Sequence, residues 1–111
     1  KNSANIKTAP KKVVKRAIST ACADYITELM VNTVKKGTGT RAAISGITVA
    51  GKTGTAEYSM SDGEKTHSWF MGFTNVDNPD LVISVITEGS DGSSSGKAVA
   101  IAGDILDAYY N

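Results

Sequence analysis

The chain has 111 residues, a size that suits one domain with a single modest hydrophobic core. Apolar residues make up 41% and charged residues 21%, with a formal net charge of +1, so the composition is ordinary for a globular protein and makes no overall case for a nucleic acid partner. One cysteine excludes an intrachain disulfide, and one cysteine with one distant histidine cannot assemble a metal cluster.

Residues 1–18 are predicted to form a basic connecting arm. The first part of this arm contains no acid, and its basic residues are Lys1, Lys7, Lys11, Lys12, Lys15 and Arg16. Such an arm could touch nucleic acid or anionic lipid, but no aromatic side chain is interleaved to stack on bases, so a solvated segment is preferred. The chain begins without methionine, as an excised or mature piece would, and shows neither a signal peptide nor a membrane-spanning run.

A helix is predicted over about residues 20–36, in a segment that runs from 19 to 36. Ser19 fits the N-cap and Gly37 the stop. Cysteine 22 stands between two alanines and is expected to be a small buried residue rather than a nucleophile. Apolar side chains recur at three- and four-residue spacing along one helical face: Cys22, Ile26, Leu29, Met30 and Val34.

The rest of the chain predicts a small sheet followed by a second helix. Residues 37–46 indicate a turn, and a three-stranded antiparallel sheet is expected over 46–88, with strands at 47–58, 67–75 and 81–87. After a flexible loop, helical spacing returns over 96–110. The predicted fold class is α+β, with one helix on each side of the sheet in sequence.

The first hairpin carries an explicit turn signal at Asp62 and Gly63. A turn centred on this pair places Thr53 opposite Gly72 and Thr55 opposite Phe70. A glycine facing Thr53 would leave room on that side of the strand. A bulge would shift this register.

The stretch GITVAGKT, residues 46–53, satisfies the phosphate-binding pattern G-x-x-x-x-G-K-[ST]. A phosphate loop needs a pliable loop and a helix that begins near the lysine, so that backbone N–H groups hold the phosphate. Here β-branched residues occupy most of the variable positions, and a hairpin follows where the helix should begin. The phosphate-loop interpretation is therefore rejected.

In the overlapping stretch VAGKTGTAE, an exposed strand carries Lys52, Thr53, Gly54 and Thr55. Backbone N–H groups of an extended strand suit an oxyanion, while the lysine charge and threonine hydroxyls suit a carboxylate. Gly54 lets an acyl group lie against the strand. This combination points to a hydrolase or acyltransferase whose substrate ends in a free carboxylate.

Several further stretches before and after Lys52-Thr53-Gly54 match the same family pattern in order. LMVNTVKKGTGTRA, VAGKTGTAE, HSWFMGF, LVISVITEG and GKAVAIAGDIL occur in that order, and together they resemble the C-terminal part of the penicillin-binding protein transpeptidase domain, from about Pro10 to the C-terminus. Lys-Thr-Gly is the third of three motifs in that family, after Ser-x-x-Lys and Ser-x-Asn.

The resemblance implies a role for each matching residue. Lys52 would act between the serine cluster and the substrate carboxylate, which the hydroxyls of Thr53 and Thr55 would bind. The backbone N–H of Thr55 would be one oxyanion donor. Trp69, Phe70 and Gly72 would serve packing only. His67 is expected at the surface or rim of the site rather than as a base.

The resemblance also implies the reaction and its setting. A serine would be acylated by a D-alanyl-D-alanine stem peptide or by a β-lactam, without a cofactor or metal, in cross-linking of peptidoglycan. The protein would sit at the extracytoplasmic face of a bacterial membrane, anchored outside this chain, and nucleic acid would not be a partner.

This chain departs from the family pattern because no credible nucleophile precedes Lys52. Ser94 and Lys97 match Ser-x-x-Lys but follow the motif within a Gly/Ser loop, and Ser3 with Asn5 matches Ser-x-Asn in a polar stretch. Both matches are set aside. The Ser-x-x-Lys and Ser-x-Asn motifs are expected in an N-terminal part of the same domain, and this chain alone is expected to be inactive.

Three alternatives stay open: a penicillin-sensing receptor domain, a segment of a serine β-lactamase, and a small non-catalytic module that binds through its basic arm. The GTG turn and the WF-x-GF strand favour the transpeptidase over the first two. Salt-dependent binding to DNA or anionic vesicles, abolished by charge reversal at positions 11, 12, 15 and 16, would support the third.

Overall fold

A computed structural model describes residues 8–61, 63–89 and 96–111 of the chain. A 3-10 turn at Thr40–Ala42 separates the first helix from the sheet, and residues 8–18 form no helix or strand. The predicted α+β class and element order are confirmed. The elements are helix α1 (Thr20–Lys36), strands β1 (Val49–Met60), β2 (Gly63–Thr74) and β3 (Leu81–Thr87), and helix α2 (Lys97–Tyr110).

Helix α1 has the predicted ends but not the predicted burial. The Ser19 hydroxyl accepts the N–H of Cys22 at 3.1 Å, as an N-cap does. Cys22 itself is exposed, so the expectation that it is buried was wrong. Of the predicted apolar face only Val34 is fully buried, and Ile26 and Leu29 are exposed, because no other described element covers the first turns of the helix.

The sheet has the strand order β1–β2–β3, with both pairs antiparallel, but the predicted hairpin register was wrong. Met60 pairs with Gly63, so the turn falls one residue earlier than predicted and both strands extend further towards it. Gly63 begins β2 with φ of +124°, a backbone conformation that favours glycine. Asp62, the other half of the predicted turn, lies outside the described residues.

The corrected pairing moves every partner by two positions. Thr53 faces Phe70, not Gly72, and Thr55 faces Ser68, not Phe70. Because side chains alternate with a period of two, a shift of two changes the partner and keeps the face. The residue opposite Thr53 is therefore a phenylalanine and not the predicted glycine.

The hydrophobic core lies between one face of the sheet and the helices. Phe70 is completely buried at its centre, and Val34 of α1 and Val99 and Leu106 of α2 pack in the same cluster. A Cβ atom at Gly51 would come within 2.5 Å of the Phe70 ring, so this glycine is required by packing.

A polar cluster joins the end of α2 to the turn between β2 and β3. The Asp80 carboxylate oxygen Oδ1 accepts hydrogen bonds from Thr74 at 2.8 Å and Tyr110 at 2.9 Å, and Oδ2 accepts from Asn75 at 2.9 Å. The hydrogen bonds from Thr74 and then Tyr110 hold the pKa of Asp80 below its ordinary value. Burial raises the pKa of Tyr110, and the hydrogen bond to Asp80 adds to this shift.

Candidate functional site

A cavity of about 290 Å³ lies where β1 passes the turn after α1 and the first turn of α2. Three of the predicted site residues, Thr53, Gly54 and Thr55, line it together. The other lining residues come from three elements that sequence reasoning did not connect to the site: Thr38, Ser68, Trp69, Gly96 and Val99.

Lys52 occupies the opposite face of β1. It pairs with Met71 across the sheet, is exposed, and its Nζ donates to the main-chain carbonyl of Thr53 at 2.5 Å. It contributes to a second hollow of about 460 Å³, on the face of the sheet that the helices do not cover, beside Trp69 and Ser84. The four predicted residues are thus adjacent along the strand, but the lysine side chain and the threonine side chains leave it in opposite directions.

The backbone of β1 presents polar groups at the open edge of the sheet. In the described part of the chain β1 pairs with β2 alone, so its other edge is open. The N–H of Asn75 donates to the carbonyl of Thr48 at 2.8 Å, which marks Thr48 as a member of a hydrogen-bonded pair. Because such pairs alternate along an antiparallel ladder, the N–H and C=O of Thr53 and Thr55 point to the open edge.

The two threonine hydroxyls of the site have different surroundings. Thr53 Oγ1 lies 2.6 Å from Thr38 Oγ1, and either oxygen is able to donate. Thr55 is exposed and lies opposite Ser68, which is buried. The Ser68 hydroxyl accepts the N–H of Ala98 at 3.2 Å and so anchors the first turn of α2 beside the cavity.

Gly54 separates the two threonines and is not required by packing within this chain. A Cβ atom there would meet only Trp69 Cβ, at 3.4 Å, which is ordinary van der Waals contact. The absent side chain leaves a strip of bare backbone on β1. Gly51, three residues earlier, is explained by the core, whereas the packing of the described residues gives no such reason for Gly54.

His67, expected at the surface or rim, is half-buried. Its ring stacks on Tyr58 with centroids 4.4 Å apart, and its Nδ1 accepts the N–H of Gly89 at 3.3 Å. The Tyr58 hydroxyl donates to the carbonyl of the same glycine at 3.1 Å. The histidine therefore fastens the chain that leaves β3 to the hairpin.

The two nucleophile-like matches that the sequence offered are not tested by this geometry. Ser3, Asn5 and Ser94 lie outside the described residues, and Lys97 is exposed as the first residue of α2. Among the described residues, no three metal-ligating side chains converge on one point. No helix in the described ranges has the length and apolar character needed to cross a bilayer.

Comparisons with known proteins point the same way as the motif order. The sequence model of the penicillin binding protein transpeptidase domain matches residues 1–107. The chain is 35% identical to the peptidoglycan D,D-transpeptidase PbpA of Mycolicibacterium smegmatis over 87% of its own length and 20% of that protein. It is 39% identical to the peptidoglycan D,D-transpeptidase MrdA of Haemophilus influenzae over 68% of its length and 13% of that protein.

The fold of this chain is also similar to that of a solved structure. The D,D-transpeptidase domain of a peptidoglycan glycosyltransferase from Eggerthella lenta superimposes with a TM-score of 0.73 at 36% identity, over 91% of this chain and 22% of that one. The chain spans a fifth or less of the length of the two curated relatives described above. With nearly all of its residues matched, this chain belongs to the penicillin-binding protein transpeptidase domain family.

Proposed function

We propose that this chain is the substrate-facing C-terminal segment of a peptidoglycan D,D-transpeptidase. The observation that carries the proposal is the edge of β1, where Thr53 and Thr55 border one cavity and the N–H of Thr55 points to the open side of the sheet. Hydroxyls that bind a carboxylate and an N–H that binds an oxyanion are what transfer of a carboxylate-terminated acyl group needs.

In the proposed reaction, a serine outside this chain attacks the carbonyl between the two D-alanines of a stem peptide. The peptide bond breaks, D-alanine leaves with the proton, and an acyl-serine ester forms. The amine of an acceptor peptide then attacks the ester, forms the cross-link and returns the serine. A β-lactam acylates the same serine by opening its ring. Thr53 and Thr55 bind the substrate carboxylate, and the Thr55 N–H stabilises the oxyanion.

Lys52 has an electrostatic role in this proposal. Lys52 is exposed on the open face of the sheet, next to Thr53 in the strand, and its ammonium group donates to the Thr53 carbonyl. An N-terminal part of the domain that carries Ser-x-x-Lys and Ser-x-Asn would pack on this face and meet the lysine. The domain would work at the extracytoplasmic face of the bacterial membrane, with its anchor outside this chain.

The open face of the sheet supports the need for such a partner segment. Its exposed apolar side chains are Trp69 (43%), Met71 (59%), Val82 (79%) and Ile86 (46%). These residues are contiguous across the paired strands, because Trp69 is opposite Ile86 and Met71 follows two positions later on β2. A continuous apolar sheet face of this kind is ordinarily covered by protein.

Labelling with a fluorescent penicillin tests the proposal. The chain alone is expected to form no covalent adduct, because the attacking serine is elsewhere, whereas the complete domain is expected to be labelled at a serine outside this chain. In the complete domain, Lys52→Met should lower the labelling rate by about 10- to 1,000-fold, as loss of a charge-stabilising group at an oxyanion site does. Lys12→Met, which removes the same charge from the exposed arm, is the matched control.

Two results would contradict the proposal. Labelling of Ser94 in the isolated chain would place the nucleophile inside it. An unlabelled complete domain that is folded, as judged by a cooperative thermal transition, would exclude the proposed acyl transfer.

A further inference from the structure

Thr38 has no role in the function proposed above, yet it lines the same cavity as Thr53, Gly54 and Thr55. It belongs to the Gly-Thr-Gly turn that follows α1, fifteen residues before Thr53 in the chain. The fold brings its hydroxyl to 2.6 Å from the hydroxyl of Thr53, a distance typical of a hydrogen bond between two hydroxyl groups.

The turn is built so that Thr38 projects from it. The N–H groups of Gly37 and Gly39 both donate to the carbonyl of Thr33 at 3.0 Å, which folds the chain back on the end of α1. A Cβ atom at Gly39 would lie 3.2 Å from that carbonyl oxygen and 3.3 Å from Val34 Cγ2, closer than most side chains allow. The two glycines face the helix, and the threonine between them is left exposed towards β1.

The hydrogen bond between Thr38 and Thr53 can run in either of two directions. A threonine hydroxyl has one proton to donate and two lone pairs that accept. When Thr53 donates to Thr38, the Thr53 proton is used, and only the Thr38 proton remains for a ligand in the cavity. When Thr38 donates to Thr53, the Thr53 proton is free. A carboxylate has no proton to give, so a carboxylate that binds at the Thr53 hydroxyl selects the second direction.

We propose that Thr38 is a positioning residue, which orients the Thr53 hydroxyl so that it donates to the terminal carboxylate of the substrate. The resulting chain runs from Thr38 through Thr53 to the carboxylate, and each bond in such a chain polarises the next. This inference rests on the proposed function and adds a determinant of carboxylate recognition to it. Thr55 has no contact of this kind with Thr38, so the two site threonines would not be equivalent.

The test uses the complete domain that carries this chain and compares two ligands that differ only at the carboxylate. Benzylpenicillin and its methyl ester are used to measure the second-order rate constant of acylation in the unmodified domain, in Thr38→Val and in Thr38→Ser. We expect Thr38→Val to slow acylation by the acid about 3- to 10-fold, the effect of one hydrogen bond, and to leave the ester rate within about twofold. Thr38→Ser keeps the hydroxyl and should restore the acid rate.

Thr40→Val is the matched control, because Thr40 is an exposed threonine two residues along the same turn and does not line the cavity. Its acid and ester rates should both equal those of the unmodified domain. Equal slowing of acid and ester by Thr38→Val would show a general structural effect and overturn the inference, as would an unchanged acid rate. Failure of the unmodified domain to react would instead overturn the proposed function.

Discussion

Neighbouring residues of strand β2 lie on opposite faces of the sheet, one face covered by the helices and the other open. Phe70 is fully buried against the helices, whereas Trp69 and Met71, its neighbours on β2, are about half exposed on the other face. All three are large apolar residues, so composition does not separate them. Strand alternation assigns each residue to a face, and the elements that pack on that face decide its burial.

Phe70→Ala gives the largest expected effect and tests the covered face. Removing a fully buried ring from the core that includes residues of both helices should lower the free energy of unfolding by about 3–5 kcal/mol, since a cavity remains. Urea unfolding of the complete domain, followed by tryptophan fluorescence, provides the measurement. A loss below about 1 kcal/mol would mean that the ring does not sit at the centre of the core.

Met71→Ala tests the open face of the sheet, because its effect depends on what covers that face. If the rest of the transpeptidase domain packs there, the substitution should lower the free energy of unfolding of the complete domain by about 2–3 kcal/mol, as truncation of a buried methionine does. If Met71 stays uncovered, the substitution should change the free energy of unfolding by less than about 0.5 kcal/mol. The same urea titration distinguishes the two outcomes, and the smaller value would count against the proposed partner segment.

The polar cluster at the far end of the covered face gives a smaller, pH-dependent effect. The folded-state pKa of Asp80 is lowered, so its contribution to stability is present above its unfolded pKa of about 3.9 and is lost as pH falls through the folded value. The folded-state pKa of Tyr110 is raised, so its contribution is present below about 10 and is lost as pH rises through the folded value.

Thermal melting from pH 2 to pH 7 should therefore show a steeper fall in Tm on the acid side for the unmodified domain than for Asp80→Asn. Asp104→Asn is a suitable control, since Asp104 is exposed on α2 and has the same charge. Parallel Tm profiles for the unmodified domain and Asp80→Asn would mean that the hydrogen bonds to Asp80 do not persist in solution.

Local sequence patterns were sufficient to predict the order of the helices and strands, including strand β1, which carries the candidate site. Helix α1 and strand β3 have the predicted ends, because capping residues, apolar spacing and turn residues act over a few positions. The family was also recognisable from the sequence, since the order of several motifs is far more specific than the tripeptide Lys-Thr-Gly. The roles of Lys52, Thr53 and Thr55 stay predictions until the acylation experiments are done.

Three features of the molecule depend on contacts between distant segments, so local sequence patterns could not predict them. The hairpin register depends on which residues close the turn, and a shift of one turn position moved Thr53 from Gly72 to Phe70. Exposure of Cys22 depends on the absence of a described element above it, which its own spacing does not reveal. The contact between Thr38 and Thr53 was unpredictable for the same reason, because a turn and a strand far apart in the chain meet only when the core brings α1 against β1.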